Sequence, residues 1–375
     1  MNEQKNVRWC KRCVMNDASD KEIRFDENGY CNYCTYALKV MSKVYFPNEI
    51  GKRKIEAMLE QIKRDGKDKP YDCIIGLSGG LDSSYLAYLC HTWGLRILAV
   101  HIDDGFDTEI SKQNIKKLCN ATHIELRTVT PDAEQFNALT LAYMKAGVAN
   151  LDIPQDNTLL GFLCDTVEQE KIGYLLSGSN FSTESILQKG VIFDAKDSIN
   201  LKAIHSRFGT QKIDKLKFVS QLQWQKVIKT VGKFTPLDYV EYNRDKALRE
   251  LNKFCGFEYY GRKHLENILT AFIQCYWFPK KFGVDKRTSH LSSMIVSGQI
   301  TREQAMQELQ EPLYDTEQMN GYIALIKERF GITDREFDQI MAAETHQHTD
   351  YPYNRAWKWL QKIKHDFFTP NDFQG

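Results

Sequence analysis

Apolar residues recur along this chain with two different periods. Residues 71–77, Tyr-Asp-Cys-Ile-Ile-Gly-Leu, form a short and nearly continuous apolar run, as expected for a strand buried on both faces. Residues 82–93 then place Leu86, Leu89, Cys90 and Trp93 at helical spacing, and Gly94 stands where a helix closes in a left-handed residue. The same reading predicts a strand over 96–102, a helix near 109–119, a strand near 124–129, helices near 132–146 and 158–170, and a strand over 174–176. A charged, helix-compatible stretch, 50–65, leads into the first strand. Strands alternating with helices imply an α/β fold with a doubly wound, mostly parallel sheet, whose ligand crevice lies beyond the strand C-termini. Chemistry is therefore expected at residues 78–84, 101–108 and 177–184. Long stretches rich in Lys, Glu, Trp, Tyr and Phe follow, with few strand signals, so the C-terminal region should be mostly helical. Three units result: 1–45, 46–210 and 211–375.

Composition narrows the class. The chain has 375 residues, 42% apolar and 26% charged, which is ordinary for a folded soluble protein. A net charge of +1 gives no overall field for gathering nucleic acid, so nucleic acid is not an expected partner. No stretch approaches the roughly 18 apolar residues that span a bilayer, and residues 1–11 are polar, so no membrane insertion and a cytoplasmic location are expected.

Four of the ten cysteines form two pairs, Cys10-x-x-Cys13 and Cys31-x-x-Cys34, with 17 residues between them. This spacing suits a four-thiolate zinc ribbon, and four thiolates leave no open coordination position, so the ion should be structural. An iron–sulfur cluster uses the same ligand set and stands as the alternative. Cys73, Cys90, Cys119, Cys164, Cys255 and Cys275 lie mostly in apolar or helical patterns and read as core residues.

Ser78-Gly79-Gly80-Leu81-Asp82-Ser83-Ser84 separates the first strand from an amphipathic helix. Consecutive glycines let the backbone approach an anion, and the first-turn amides of the helix are donors at the positive end of its dipole. A carboxylate in such a turn repels phosphate unless something offsets it, and Mg2+ between Asp82 and the phosphates would do so. Helix capping by Asp82 or a serine does not call for the whole string. The Walker A pattern is absent from the sequence.

The string resembles the PP-loop of the N-type ATP pyrophosphatases, in which the loop holds the β and γ phosphates while the α phosphorus is attacked. That resemblance implies adenylation, with AMP and pyrophosphate as products. His101-Ile102-Asp103-Asp104-Gly105 matches the strand end that receives adenosine in that superfamily, and Gly178-Ser179-Asn180-Phe181-Ser182-Thr183-Glu184 looks like its Gly-x-Asn-x-x-x-Glu element. ATP contacts are thus implied for Ser78, Gly79, Gly80, Asp82, Ser83, Ser84, His101, Asp103, Gly178, Asn180 and Glu184, with Ser78 and Asp82 in catalysis. By position, His101, Asp103, Asp104 and Glu184 are candidates for proton transfer.

The cysteine ribbon, the loop and a late block, Trp277-Phe278-Pro279-Lys280-Lys281-Phe282-Gly283-Val284-Asp285-Lys286-Arg287-Thr288-Ser289-His290-Leu291, together resemble the N-acetyl sugar amidotransferase family of surface-polysaccharide biosynthesis over nearly the whole chain. Members convert an acetamido group on a sugar to an acetamidino group, in lipopolysaccharide O-antigen or nonulosonic-acid pathways. An amide oxygen leaves poorly, so ATP would first make it an O-adenylyl imidate, from which ammonia expels AMP. The sequence holds no Gly-x-Cys-x-Gly elbow with a partnering His, and Met1 is not followed by Cys. Ammonia should then come from solution or, as the family implies, from a separate glutaminase subunit. The substrate implied is a sugar, nucleotide-linked.

Lys280, Lys281, Lys286, Arg287 and His290 surround Gly283 and suit a loop that neutralises phosphate or a sugar carboxylate; the family resemblance favours Lys286 and Arg287, ahead of His290, as catalytic contacts to substrate or pyrophosphate. Residues 212–233 hold six lysines against one Asp, and read as a solvated helix face whose Phe218 and Trp224 pack inward. Two rivals stand beside the amidotransferase. A tRNA thiolation enzyme would need a sulfur-carrying cysteine, for which Cys164 is the candidate, and a basic face. A non-catalytic nucleotide-binding scaffold would have no need of Asp82 and the serines.

Overall fold

The computed structural model describes residues 7–360. Five parallel strands, β1 (Cys73–Gly76), β2 (Ile97–Ile102), β3 (Glu125–Val129), β4 (Tyr174–Leu176) and β5 (Gly232–Phe234), form one sheet in the order β3-β2-β1-β4-β5. Successive side chains of β1 and β2 point to opposite layers. Cys73, Ile75, Ile97 and Ala99 pack with helices Glu49–Gly66, Leu81–Thr92 and Arg244–Cys255. Ile74, Leu98 and Val100 pack with helices Ile153–Glu170 and Gln221–Thr230. Helices on both faces explain why these strands read as unbroken apolar runs. Strand β3 lies at the edge and carries Arg127, which pairs with Glu170 at 2.6 Å; charge there opposes pairing with another sheet.

The chain steps outward from β1 to β3 and then returns to the other side of β1 with β4. This reversal opens a crevice above the C-terminal ends of β1 and β4, where α/β sheets of this kind bind ligands. The doubly wound fold expected from the pattern is present. Its fifth strand comes from past residue 210, in a stretch that reads as helical. A three-residue edge strand with Lys233 at its centre has too few positions to show a period. Beside it Trp224 is buried, facing inward from its helix.

The C-terminal region is helical, as expected. Ile268–Phe272 runs into a π-helix, Ile273–Phe282, followed by Arg287–Val296, Arg302–Glu308, Thr316–Phe330 and Asp334–Ala342. Of these, Ile268–Phe272, Ile273–Phe282, Thr316–Phe330 and Asp334–Ala342 pack with helices Ala133–Lys145 and Ser198–Phe208 around the fully buried Trp277, Tyr143, Phe136 and Phe272, while Leu291, Met294 and Ala305 pack with Val14. Burying an aromatic of this size is worth about 1.5–3 kcal/mol, so this cluster anchors the helical region over the crevice. Among the described residues no helix is long and apolar enough to cross a membrane.

Candidate active site

A cavity of about 520 Å³ fills the crevice. One wall is the loop after β1, with Ser78, Gly80, Asp82 and Ser83, beside Gly178 and Glu184 from the segment after β4; the facing wall is Tyr259–Asn267 with Lys286 and His290. Gly79 has φ +77°, and a Cβ there would stand 2.7 Å from the Ser111 carbonyl oxygen, so the turn requires glycine. A Cβ on Gly178 would meet Asp82 C and Ser83 N at 3.2 Å, so the two strand-end loops touch. No side chain caps the helix that starts at Leu81; the Leu81 N–H donates to Tyr260 Oη at 2.8 Å. Ser78 Oγ accepts from Gly80 N, and Ser83 Oγ accepts from Ser78 N, each at 3.2 Å. The result is a rigid ring of small donors at a helix N-terminus, which suits an anion.

Asp82 is bound by Tyr242 Oη and by Lys263 Nζ. Lys263 also reaches Glu184 Oε1 and Thr183 Oγ1, each at 3.0 Å. One ammonium therefore ties the loop after β1 to the segment after β4. Burial alone would raise Asp82, but the Lys263 charge and hydrogen bond, helped by Tyr242, outweigh it and hold the carboxyl below its ordinary value. The two carboxylates likewise outweigh burial at Lys263 and hold it protonated.

The structure brings Ser78, Gly80, Asp82, Ser83, His101, Gly178, Glu184, Lys286 and Arg287 to the cavity wall. Several of the residues named from the sequence have their side-chain polar atoms committed elsewhere, which leaves backbone groups as their means of contact with a nucleotide. His101 lies between the Leu77 carbonyl, 2.9 Å from Nδ1, and Asp107 Oδ2, 2.8 Å from Nε2, and so props the loop from behind. Asn180 Oδ1 accepts from Thr183 N at 3.0 Å, capping the short helix Phe181–Glu184. Asp103 accepts from Gly105 N at 3.0 Å and Ser84 is fully buried; neither they nor Asn180 and Gly79 are among the cavity-lining residues. Arg287 forks onto Asp285, with Nη2 2.8 Å from Oδ2, and donates to the carbonyls of Glu308 and Glu311. It serves the scaffold.

The basic block is also not a loop. Gly283, at φ +69°, ends the π-helix, and a new helix begins at Arg287. Lys281 turns away from the cavity to donate to the carbonyls of Ile340 and Ala343, at 2.8 and 2.5 Å, at the end of a neighbouring helix. Lys286 remains in the cavity, 9% exposed, and its ammonium has no hydrogen bond or ion pair among the described residues. Burial first, and the Lys263 charge in addition, outweigh the attraction of Glu184 and Asp152 and lower it to about 8. Between about pH 8 and its unfolded value this lysine is protonated only in the unfolded chain, so its contribution to stability rises with pH across that window and is unfavourable at pH 7. Lys286→Met is therefore expected to raise stability at pH 7, to remove that rise in denaturant titrations run from pH 7 to 10, and to cut turnover about a hundredfold.

Lys263, His264 and Glu266 are among the cavity residues that escaped the sequence reading. Burial, with the Lys263 charge, lowers His264 to about 3, leaving a neutral imidazole 3.7 Å from Glu184 Oε1. The dense string Tyr259-Tyr260-Gly261-Arg262-Lys263-His264-Leu265-Glu266-Asn267 was a signal, but it stands some 180 residues from the loop it faces. Cys275, read as core, also lines the cavity, and burial pushes its thiol up. Cys164 is not among the lining residues, and burial raises it to about 11, unlike a reactive thiol.

The four paired cysteines are fully buried, and their ligand atoms all lie within 4.8 Å of one another. Cys10 and Cys34 Sγ are 3.7 Å apart, and Cys13 and Cys31 Sγ 3.5 Å. Bonds of about 2.3 Å to one tetrahedral ion imply sulfur separations near 3.8 Å, so the set fits a single ion. Cys31 caps helix Asn32–Val44 and accepts from Cys34 N at 3.4 Å, while Cys10 Sγ accepts from Cys31 N at 3.2 Å; such bonds stabilise thiolates.

Sheet order, glycine turn and strand-end loops define a PP-loop nucleotide-binding domain, and residues 53–180 match the family model described as NAD synthase. Residues 266–364 match the model described as LPS biosynthesis protein WbpG-like, C-terminal domain. Residues 53–180 are thus similar to NAD synthases and residues 266–364 to the C-terminal domain of WbpG-like proteins. No curated protein is matched. Among solved structures, the NH3-dependent NAD synthetase from Campylobacter jejuni is 15% identical, with 70% of this chain and 97% of that one covered and a TM-score of 0.32. The U34-tRNA thiolase NcsA from Methanococcus maripaludis, with its [4Fe-4S] cluster, is 14% identical over 86% of this chain and 89% of that one, with a TM-score of 0.32.

Proposed function

We propose that the chain is an ATP-dependent amidotransferase that adenylates the acetamido oxygen of an N-acetylated, nucleotide-linked sugar and replaces that oxygen with ammonia. The products are an acetamidino sugar, AMP and pyrophosphate, and the setting is lipopolysaccharide O-antigen or nonulosonic-acid biosynthesis in the cytoplasm. One observation carries the reading: a single cavity is shared by the loop after β1, in the NAD-synthase-like segment, and by Glu266, Lys286 and His290, in the WbpG-like segment. A nucleotide gripped by the first would present its α phosphorus to a substrate held by the second.

Ser78, Gly80, Ser83 and the first-turn amides would bind the β and γ phosphates. The amide oxygen attacks the α phosphorus, the bond to pyrophosphate breaks, and the amide loses its proton. Ammonia then adds to the imidate carbon, the bond from that carbon to the AMP oxygen breaks, and the nitrogen sheds its extra proton to leave the amidine. Lys263 and Lys286 supply fixed positive charge where phosphate charge moves, and the enclosed site orients an unreactive amide. Mg2+ would supply charge neutralisation against the phosphates; Asp82 would hold it only by giving up Lys263 or Tyr242, which occupy its two carboxylate oxygens in this structure. The four thiolates would hold a structural Zn2+, a reading that the sulfur separations favour over a cluster of several irons. Ammonia would arrive from a separate glutaminase subunit.

An acceptor carrying 18O in its acetamido group tests the chemistry. Turnover should move the label into AMP, leaving pyrophosphate unlabelled, as read by mass spectrometry. Unlabelled AMP, or ADP as the product, would refute it.

A further inference from the structure

The cradle that suits phosphate also holds a carboxyl group. Glu266 is 8% exposed, and its Oε1 lies 3.3 Å from Ser78 Oγ. It is so near the second glycine that a Cβ on Gly80 would come within 2.4 Å of it. Its Oε2 is buried with no hydrogen-bond partner among the described residues. A carboxylate here and a polyphosphate in the same ring would repel each other at close range, in surroundings that screen poorly.

Retreat is blocked by the backbone. The Glu266 carbonyl accepts from Thr108 N at 3.0 Å and from Thr108 Oγ1 at 3.1 Å, and the next residue, Asn267, bridges to Asp107 and donates to Asp104 Oδ1 at 3.2 Å. With its carbonyl and the following residue held in place, Glu266 answers an incoming anion more readily by changing its charge than by leaving.

Resting on the adenylating reading above, we propose that Glu266 is a positioning residue that takes up one proton from solvent when ATP binds, donates that proton in a hydrogen bond from its carboxyl to a phosphate oxygen, and returns it when the polyphosphate departs. The orphaned oxygen is the atom left for that bond. Its surroundings favour the neutral form. Burial is the largest influence and Asp82 adds to it, while Lys263 and the Ser78 hydroxyl oppose it; the balance raises the carboxyl to about 7. Tyr259 and Tyr260, on the same loop, are both pushed up and neutral, and His101 with Asp107 faces the backbone bridge. Above pH 7 the free protein then holds a carboxylate that must be neutralised before ATP can enter, so affinity should fall by about tenfold per pH unit.

Calorimetry of Mg-ATP binding to the full chain without acceptor, in two buffers of different ionisation enthalpy, counts protons directly. At pH 8 the wild type should take up about one proton per ATP. Glu266→Gln, which keeps the shape and supplies a permanent donor, should take up about one fewer and bind ATP about tenfold tighter at that pH. Lys286 and the phosphates titrate in both proteins, so the difference isolates Glu266. Equal proton counts, or weaker binding by the glutamine variant, would overturn the proposal. Where the variant does not fold, a wild type with no proton uptake and a flat affinity profile between pH 6 and 9 still overturns the proposal. ATP binding without proton uptake overturns the role of Glu266 alone; no ATP binding at any pH overturns the adenylating reading as well.

Discussion

Gly79→Ala is expected to abolish ATP binding and to cost about 2–5 kcal/mol of folding stability. Two effects add. A left-handed backbone costs a residue with a Cβ about 1–2 kcal/mol, and crowding a packed site costs about 1–3 kcal/mol more. At Gly79 the obstacle is the Ser111 carbonyl, 2.7 Å from the added carbon, and backbone cannot rotate away as a side chain would. The loop must shift, and with it the amides and the Ser78 and Ser83 hydroxyls. Gly256 separates the two contributions: its φ is +72°, but a Cβ added there would have no atom within 4 Å. Gly256→Ala should carry the backbone strain alone, about 1 kcal/mol, and keep ATP affinity. Urea denaturation and calorimetric titration of both variants give the comparison. A Gly79→Ala protein that binds ATP like the wild type would mean that this turn does not grip the nucleotide.

Cys31→Ser should reduce the metal content from one ion per chain to none, measured by elemental analysis, and raise KM for the acceptor by about tenfold or more. The physical route is a set of contacts between the cysteine unit and the back of helix Arg287–Val296 together with the start of the next helix, Arg302–Glu308. Val14 N donates to Ser292 Oγ at 3.1 Å, Ser19 Oγ is 3.0 Å from Thr288 Oγ1, and Arg302 Nε donates to the Cys13 carbonyl at 3.1 Å. The other side of that helix presents His290, Leu291 and Met294 to the cavity. Without the ion the four buried thiols at the centre of the unit are no longer tied to one another, and the wall behind the acceptor loses its support. ATP affinity should change by less than about threefold, because Ser78–Ser83 rest on the sheet instead. Metal loss with unchanged KM would show that the ribbon does not brace this wall.

Some of the candidate site was legible in the sequence because its chemistry is local. A phosphate turn needs a buried strand, glycines that tolerate close approach, and a helix start, all within about a dozen residues, and Cys73–Thr92 shows each in order. The cysteine pairs are legible for the same reason, since two short knuckles set the ligand spacing. Roles within a motif were less legible. Asn180 and His101 carry donors and acceptors suited to a nucleotide, yet both use them on the chain's own backbone and neighbours, as buried polar groups must. Arg287 and Lys286 are adjacent and similar in charge, but the guanidinium fork meets Asp285 and two carbonyls while the ammonium faces the cavity alone.

By itself, the amino-acid order determined the alternation of strands and helices, the phosphate turn after β1, the four-sulfur unit and the helical character of the C-terminal region, because short-range periodicity and spacing specify each of these. Folding alone decided that Lys263 joins Asp82 to Glu184 and that Glu266 meets Ser78 across 188 positions of chain. It also decided which basic residues face solvent, backbone or cavity. Those outcomes depend on how the reversal of strand order and the packing of Trp277 and its neighbours set distant segments against each other. No local pattern encodes a distance of that kind.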